Sequence, residues 1–237
     1  MRILAVSDEV EESLWQPAVR RVAVDLVVGC GDLPLDYLGY LAEALEVPVV
    51  FVPGNHDPDL SGYRRARSGL VLRAGMPVEA PWPAGTVNAD GRVVEVAGLR
   101  IAGLGGCLRY RPGPNQYTEA RQAFRARLLT ARAGLRRRHE NRPVDLLITH
   151  APPRGVGDAD DPPHHGFAAY HRLVRRLRPV LLLHGHVHPY GASRTDHRLA
   201  GTLVCNVVGH RVFTLPDRLP GGGSGRTPTP PEVRHGT

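Results

Sequence analysis

The chain has 237 residues, 42% of them hydrophobic, and a formal net charge of +7 in which every basic side chain is arginine. That length suits one sizeable core with no compositional break into two, and no run approaches the roughly 18 consecutive apolar residues of a membrane span. Met1-Arg2 leads into a short strand instead of a signal-peptide pattern, and Cys30, Cys107 and Cys205 form no CxxC pair, so a cytoplasmic protein with reduced, buried thiols is expected.

Residues 3–6 read as a first strand, with Ser7-Asp8 at its carboxyl end. Residues 11–22 have mixed helical spacing and predict a short helix interrupted at Pro17. A second strand over 24–28 closes on Gly29-Cys30-Gly31-Asp32. Residues 34–45 carry Leu35, Leu38, Leu41, Ala42 and Leu45 on one helical face. A third strand over 49–52 delivers Pro53-Gly54-Asn55-His56-Asp57.

Residues 58–90 are irregular, with short strands expected at 69–72 and 75–78. Alternation over 93–106 predicts a hairpin turning at Ala97-Gly98. Thr118 is placed to cap a helix over 119–139. A strand over 145–148 ends in Thr149-His150, and a loop rich in Pro, Gly and Asp runs to Gly166. A helix over 168–177 stops before Pro179 and feeds the apolar run 180–183, which ends in His184-Gly185-His186-Val187-His188. Residues 193–215 read as a closing β meander. From 216 onward the Gly/Pro-rich tail has no core face to bury and is expected to be disordered, leaving one domain over 1–215.

The alternation of strands and helices implies an α/β protein whose site lies at strand carboxyl ends. Five apolar strands each finish in an oxygen or imidazole donor, namely Asp8, Asp32, Asn55 with His56 and Asp57, His150, and His186 with His188. Core packing gives no reason for that pattern. A mixed N/O donor set without thiolate favours Mn, Fe, Zn or Co over calcium or a cysteine-type structural zinc. His184 should face away from the cluster, because strand neighbours alternate sides.

Gly31-Asp32, Gly54-Asn55-His56-Asp57, Thr149-His150 and Gly185-His186-Val187-His188, in that order, resemble the calcineurin-like metallophosphoesterase family across roughly residues 1–213. Within it the chain looks most like small bacterial members that open with Ser-Asp-Glu. The resemblance implies a four-layer αββα sandwich of two mixed β-sheets flanked by helices. It implies hydrolysis of a phosphomonoester or phosphodiester with one or two divalent ions, manganese favoured, that lower the pKa of a shared water. Carried over by position, Asp32 bridges both ions. Asn55, His150 and His186 complete the second site, and Asp8 and His188 hold the first. His56 contacts the phosphoryl oxygens and protonates the leaving group, with Asp57 steadying its ring.

One motif departs from the family. Where Asp-x-His is usual, this chain has Asp8-Glu9-Val10, and valine cannot bind a metal. Water fills the gap, or a carboxylate of Glu9, Glu11 or Glu12 swings in, or the centre holds one ion tightly. His164, Arg109 and Arg111 are candidate substrate contacts in polar loops. The expected partner is a small phosphoester or nucleotide. A nucleic-acid role rests only on the arginine excess and ranks last. The rival reading is a catalytically weak metal-binding sensor of a nucleotide or phosphorylated ligand, which Val10 favours and His56 disfavours.

Overall fold

The alternation of apolar side chains along each strand decides which layer it faces. The computed structural model describes residues 1–66, 68–140, 143–189, 195–216 and 232–234. β1 (Arg2–Ser7) is followed by 3₁₀ turns at Glu12–Leu14 and Pro17–Arg21, then β2 (Leu26–Gly29), α1 (Leu35–Leu45) and β3 (Val49–Phe51). Three short strands, β4 (Tyr63–Arg65), β5 (Val71–Arg73) and β6 (Met76–Val78), form a small separate sheet. β7 (Thr86–Asn88), β8 (Val93–Val96) and β9 (Leu99–Leu104) come next, then the two-residue strands β10 (Cys107–Leu108) and β11 (Gln116–Tyr117) and the long α2 (Glu119–Glu140). The chain continues through β12 (Leu146–Thr149), a 3₁₀ turn at Pro162–His164, α3 (Ala169–Leu177), β13 (Leu181–His184), β14 (His197–Leu199), β15 (Thr202–Asn206), β16 (Gly209–Thr214) and β17 (Glu232–Arg234).

Two six-stranded sheets result, ordered β17-β16-β1-β2-β3-β7 and β14-β15-β13-β12-β9-β8. Both are mixed, with parallel centres and antiparallel strands at an edge. Ile3 and Ala5 of β1, with Val28 of β2, pack across the interior against Ile101, Ile148 and Leu183 of the other sheet. Their alternates Leu4 and Val6 turn outward onto Leu38 and Leu41 of α1. On the second sheet, Ala102, Leu147 and Leu182 turn outward onto Leu129 of α2 and Leu173 of α3. The period of two therefore builds the αββα sandwich directly. Ile148 and Leu183 are wholly buried, so truncating either to Ala would cost about 2–5 kcal/mol.

The 93–106 hairpin forms as expected, with Ala97 (φ 49°) and Gly98 (φ 75°) both left-handed in its turn, the geometry that matches strand twist. The Thr118 hydroxyl accepts the Arg121 amide at 3.2 Å and caps α2. Two expectations change. The helix over 11–22 is a pair of 3₁₀ turns, with Pro17 at the head of the second, because a proline without an N–H cannot continue a helix. The 58–90 region holds more strand than its composition suggested, and β7 joins the first sheet beside β3 through Val49–Thr86 pairing. The tail from 216 lies mostly outside the described residues; within it, β17 pairs with Val212–Thr214. Residues 193 and 194, the start of the expected meander, also lie outside. No helix among the described residues is long and apolar enough to cross a membrane.

Candidate metal centre

β1, β2 and β3 run parallel in one sheet, as do β12 and β13 in the other, so the loops that follow within each sheet open at one edge. Three donors sit there in a backbone conformation that side chains rarely adopt: Asp8 (φ 61°), Asp32 (φ 56°) and His186 (φ 69°). Left-handed backbone at non-glycine residues concentrates at functional sites, and here each sharp turn aims a donor inward. Two glycines make room. A Cβ at Gly54 would fall 2.1 Å from Asp32 Oδ1, and one at Gly185 would fall 2.1 Å from Asp8 Oδ2.

Donor atoms of Asp32, His150 and His186 all lie within 4.8 Å of one another. His150 is fully buried. Its Nδ1 is 2.8 Å from the Cys30 carbonyl, and its Nε2 is 2.9 Å from Asn55 Oδ1 and 3.3 Å from Asp32 Oδ2. Burial would lower the pKa of this imidazole, but the Asp32 carboxylate outweighs it and pushes the ring up to about 9. Burial would likewise raise Asp32, yet His150 and the His56 amide, which donates to Oδ1 at 2.7 Å, hold it below its ordinary value. His186 behaves oppositely: burial and the neighbouring His150 push it down to about 3. Its Nε2 donates to the Pro163 carbonyl at 2.7 Å, so the neutral ring keeps a lone pair on Nδ1 for a cation. Two imidazoles, a carboxylate and an amide oxygen converging on one point fit a borderline divalent metal.

The neighbouring donors are arranged differently. Asp8 Oδ2 accepts the Ser7 hydroxyl at 2.6 Å and the His186 amide at 2.9 Å. His188 Nδ1 lies 3.2 Å from Glu9 Oε1, with the Glu9 side chain 57% exposed. Among the three glutamates raised by the missing imidazole, Glu9 faces His188, whereas Glu11 faces His210 at 3.2 Å. Val10 is exposed. Among the described residues the tight donor group includes neither Asp8 nor His188.

His56 is exposed. Asp57 does not sit on its ring as expected. Asp57 Oδ2 instead accepts the Asp32 amide at 2.9 Å and the Gly54 amide at 2.7 Å, because the tight turn after β3 points this carboxylate back at two strand ends. Its role is to tie the two loops together, and burial raises its pKa. His164 is 5.3 Å ring to ring from His186 and bonds Asp161 at 2.6 Å. Arg109 folds back onto the Gln116 carbonyl at 3.3 Å, away from the role of a phosphate grip, since its short loop offers a nearer acceptor. Arg111 lies over the Tyr110 ring. His184 is buried, faces Gly157 and His197, and is pushed down to about 4 by burial; it stands apart from the donor group, as strand alternation requires. Sequence reading passed over Tyr110, whose hydroxyl accepts the Asn55 amide at 3.5 Å, and Asn115, which donates to the Asp57 carbonyl at 3.0 Å. A tyrosine and an asparagine in a turn-rich loop carry no periodic signal that could have marked them.

The model of the calcineurin-like phosphoesterase family matches residues 1–190. Among solved structures, the chain is similar to TT1561 of Thermus thermophilus, with 17% identity and a TM-score of 0.57 over 90% of this chain and 93% of that one. It is more distantly similar to a single mutant of Vps29 from Entamoeba histolytica, with 12% identity and a TM-score of 0.44 over 92% and 87% of the two chains. No curated protein matched the chain.

Proposed function

Because the chain belongs to the calcineurin-like phosphoesterase family, we propose that it hydrolyses a small phosphomonoester or phosphodiester, a nucleotide included, at the centre around Asp32. The carrying observation is the convergence of Asp32, His150 and His186 within 4.8 Å, with Asn55 on His150. In this reading those four residues hold one divalent ion, manganese favoured among Mn, Fe, Zn and Co. Asp8 and His188, sharing Asp32, form the first site and hold the other ion more weakly. Bound there, the ions supply Lewis-acid activation of water and of phosphoryl oxygens.

The chain's own groups do the rest. His56 binds a phosphoryl oxygen and returns a proton to the leaving group. Asp57 holds the Asp32 and Gly54 amides, so that the bridging carboxylate and the Asn55 loop keep one spacing. Val10 leaves the first site one imidazole short, and Glu9 is the carboxylate best placed to fill the gap. His164 lines the substrate side near His186. The buried free thiols of Cys30, Cys107 and Cys205 suit a reducing cytoplasm.

The sensor reading keeps one specific support, the engagement of His188 by Glu9, which leaves the first site loosely built. Turnover decides between the two readings. Manganese-loaded protein should hydrolyse p-nitrophenyl phosphate or bis-p-nitrophenyl phosphate, and the His56→Ala variant should bind metal normally while losing that turnover. Metal binding with no turnover in the wild type would favour the sensor.

A further inference from the structure

Along α2, Arg125, Leu128 and Arg132 recur at helical spacing and share one face. That face meets the turn after β7, where Arg125 bonds Asp90 and Arg132 donates to the Gly91 carbonyl. With the segment that follows Asp57 they border a hollow of about 240 Å³, whose lining also includes Leu60, Asp90 and Arg92. β7 runs parallel to β3, so Asp90 emerges at the sheet edge that also carries Asn55 and Asp57. The hollow shares no residue with the donor group of Asp32, His150 and His186.

The charges in this hollow do not balance. Its lining holds Arg92, Arg125 and Arg132 against the single carboxylate of Asp90. Both oxygens of that carboxylate accept from Arg125 at 2.6 Å, and Oδ1 also takes the Gly105 amide at 2.7 Å. Arg92 and Arg132 are left with main-chain carbonyls. Arg92 donates to Asn88 at 3.3 Å and to Tyr63, and Arg132 donates to Gly91. Such acceptors satisfy N–H groups but bring no negative charge. Among the described residues neither arginine has a carboxylate partner. Each keeps further donors free, because a guanidinium offers five. Arg92 is half-buried; burial pulls its pKa down, Asp90 opposes the fall and Arg132 adds to it. Two positive charges therefore stand close together and uncompensated, partly out of water, where like charges are screened less well.

We propose that this hollow binds the phosphate dianion of a small phosphorylated molecule, with Arg92 and Arg132 on its oxygens and Leu60 and Leu128 against its carbon body. A phosphomonoester carries about 1.5–2 negative charges at pH 7, which matches what Asp90 leaves over; a carboxylate would match only half of it. Guanidinium N–H pairs also fit phosphate oxygens bidentately. Leu60 is buried and Leu128 is 39% exposed, so apolar surface stands beside the arginines for a short carbon body. The volume lies just below the roughly 300 Å³ at which pockets for drug-sized ligands begin, which admits one phosphate and a few attached carbons and excludes a nucleic-acid strand. Binding here needs no metal and does not depend on turnover at the centre around Asp32.

The test titrates metal-stripped full-length protein with n-butyl phosphate by calorimetry, at low salt and about pH 8, where the probe is a dianion and no metal is present to hydrolyse it. One saturable site per chain is expected, with Kd raised about tenfold or more by Arg132→Glu and by Arg92→Gln. Arg132 is exposed on α2, so its variant should keep the wild-type melting temperature and report on the site even if Arg92→Gln loosens the loop at Tyr63. Inorganic phosphate should bind more weakly than the butyl ester, and acetate more weakly still. Charge reversal at Arg20 and Arg21, exposed on the 3₁₀ turn at Pro17–Arg21, should leave Kd unchanged. Binding unmoved by Arg132→Glu would put the phosphate elsewhere, the pocket around His150 included. That result, the absence of saturable binding, an equal loss on reversing Arg20 and Arg21, or acetate or inorganic phosphate binding as tightly as the ester would each overturn the proposal.

Discussion

The two halves of the proposed metal centre are built to different standards. Around Asp32, the imidazole donors are buried and the carboxylate nearly so, and the group is already tied together: His150 bonds Asn55 and Asp32, and the amide of the exposed His56 donates to Asp32. Around His188, the groups are half-exposed, the nearest carboxylate belongs to a long, exposed glutamate side chain, and Val10 gives nothing. Folding alone assembles the first arrangement, and its burial cost is offset within the protein. The second must be assembled largely by the ion, which then bears the entropy of ordering Glu9 and His188. A cation should therefore fill the Asp32–His150–His186 side first.

The harshest way to break this comparison is Asp32→Ala, which removes the carboxylate that both halves are proposed to share. Activity should vanish, and metal content measured by plasma emission should fall with it; a variant with near-wild-type turnover and metal would refute the assignment. His56→Ala should lower kcat about 10²–10⁴-fold, most for poor leaving groups, without lowering metal content. Loss of metal there would make His56 a ligand.

A subtler effect concerns Asp57. Its carboxylate accepts two backbone amides, so Asp57→Ala should cost about 1–3 kcal/mol of stability and loosen metal binding. Asp57→Asn, whose amide oxygen still accepts, should recover much of the stability in urea melts. If Asp57 acted instead on the His56 ring, both variants would keep the wild-type midpoint and change only the pH profile of kcat.

The smallest effect is on pH dependence, and it sharpens the contrast electrostatically. In metal-stripped protein, His150 is pushed up to about 9 from its ordinary 6.5, so its pairing with Asp32 stabilises fully below pH 6.5 and is lost as pH rises through about 9. His186 is pushed down to about 3 and His184 to about 4. These two stay neutral in the fold while the unfolded chain takes up protons, so stability also falls as pH drops below 6.5. The melting temperature of stripped protein should peak near pH 6.5 and decline on both sides. A profile flat from pH 6.5 to 9 would contradict the His150–Asp32 pairing.

What the sequence revealed follows from what is periodic or punctuated in it. The inward and outward alternation of Ile3, Leu4, Ala5 and Val6 encodes two layers at once, and donors placed directly after such runs mark the site. The roles within the site were less legible. Asp57 looks like a partner for the adjacent His56, and only the turn after β3 shows its carboxylate returning to Asp32 and Gly54. Arg109 has the right charge for phosphate, but its direction is set by the carbonyl of Gln116 seven residues away. Tyr110 reaches Asn55 across more than fifty positions of chain, a contact that no local pattern announces. Strand ends are written locally, whereas contacts between loops are decided by the packing of the whole.

Calorimetric titration of stripped wild-type protein and Val10→His with manganese tests the central claim most directly. The unequal halves predict two classes of site in the wild type, one ion bound tightly and one weakly. Val10→His, by returning an imidazole beside Asp8, should tighten only the weak class, and about 1.4 kcal/mol would appear as a tenfold shift in its Kd. Two equally tight ions in the wild type, unmoved by Val10→His, would contradict the account.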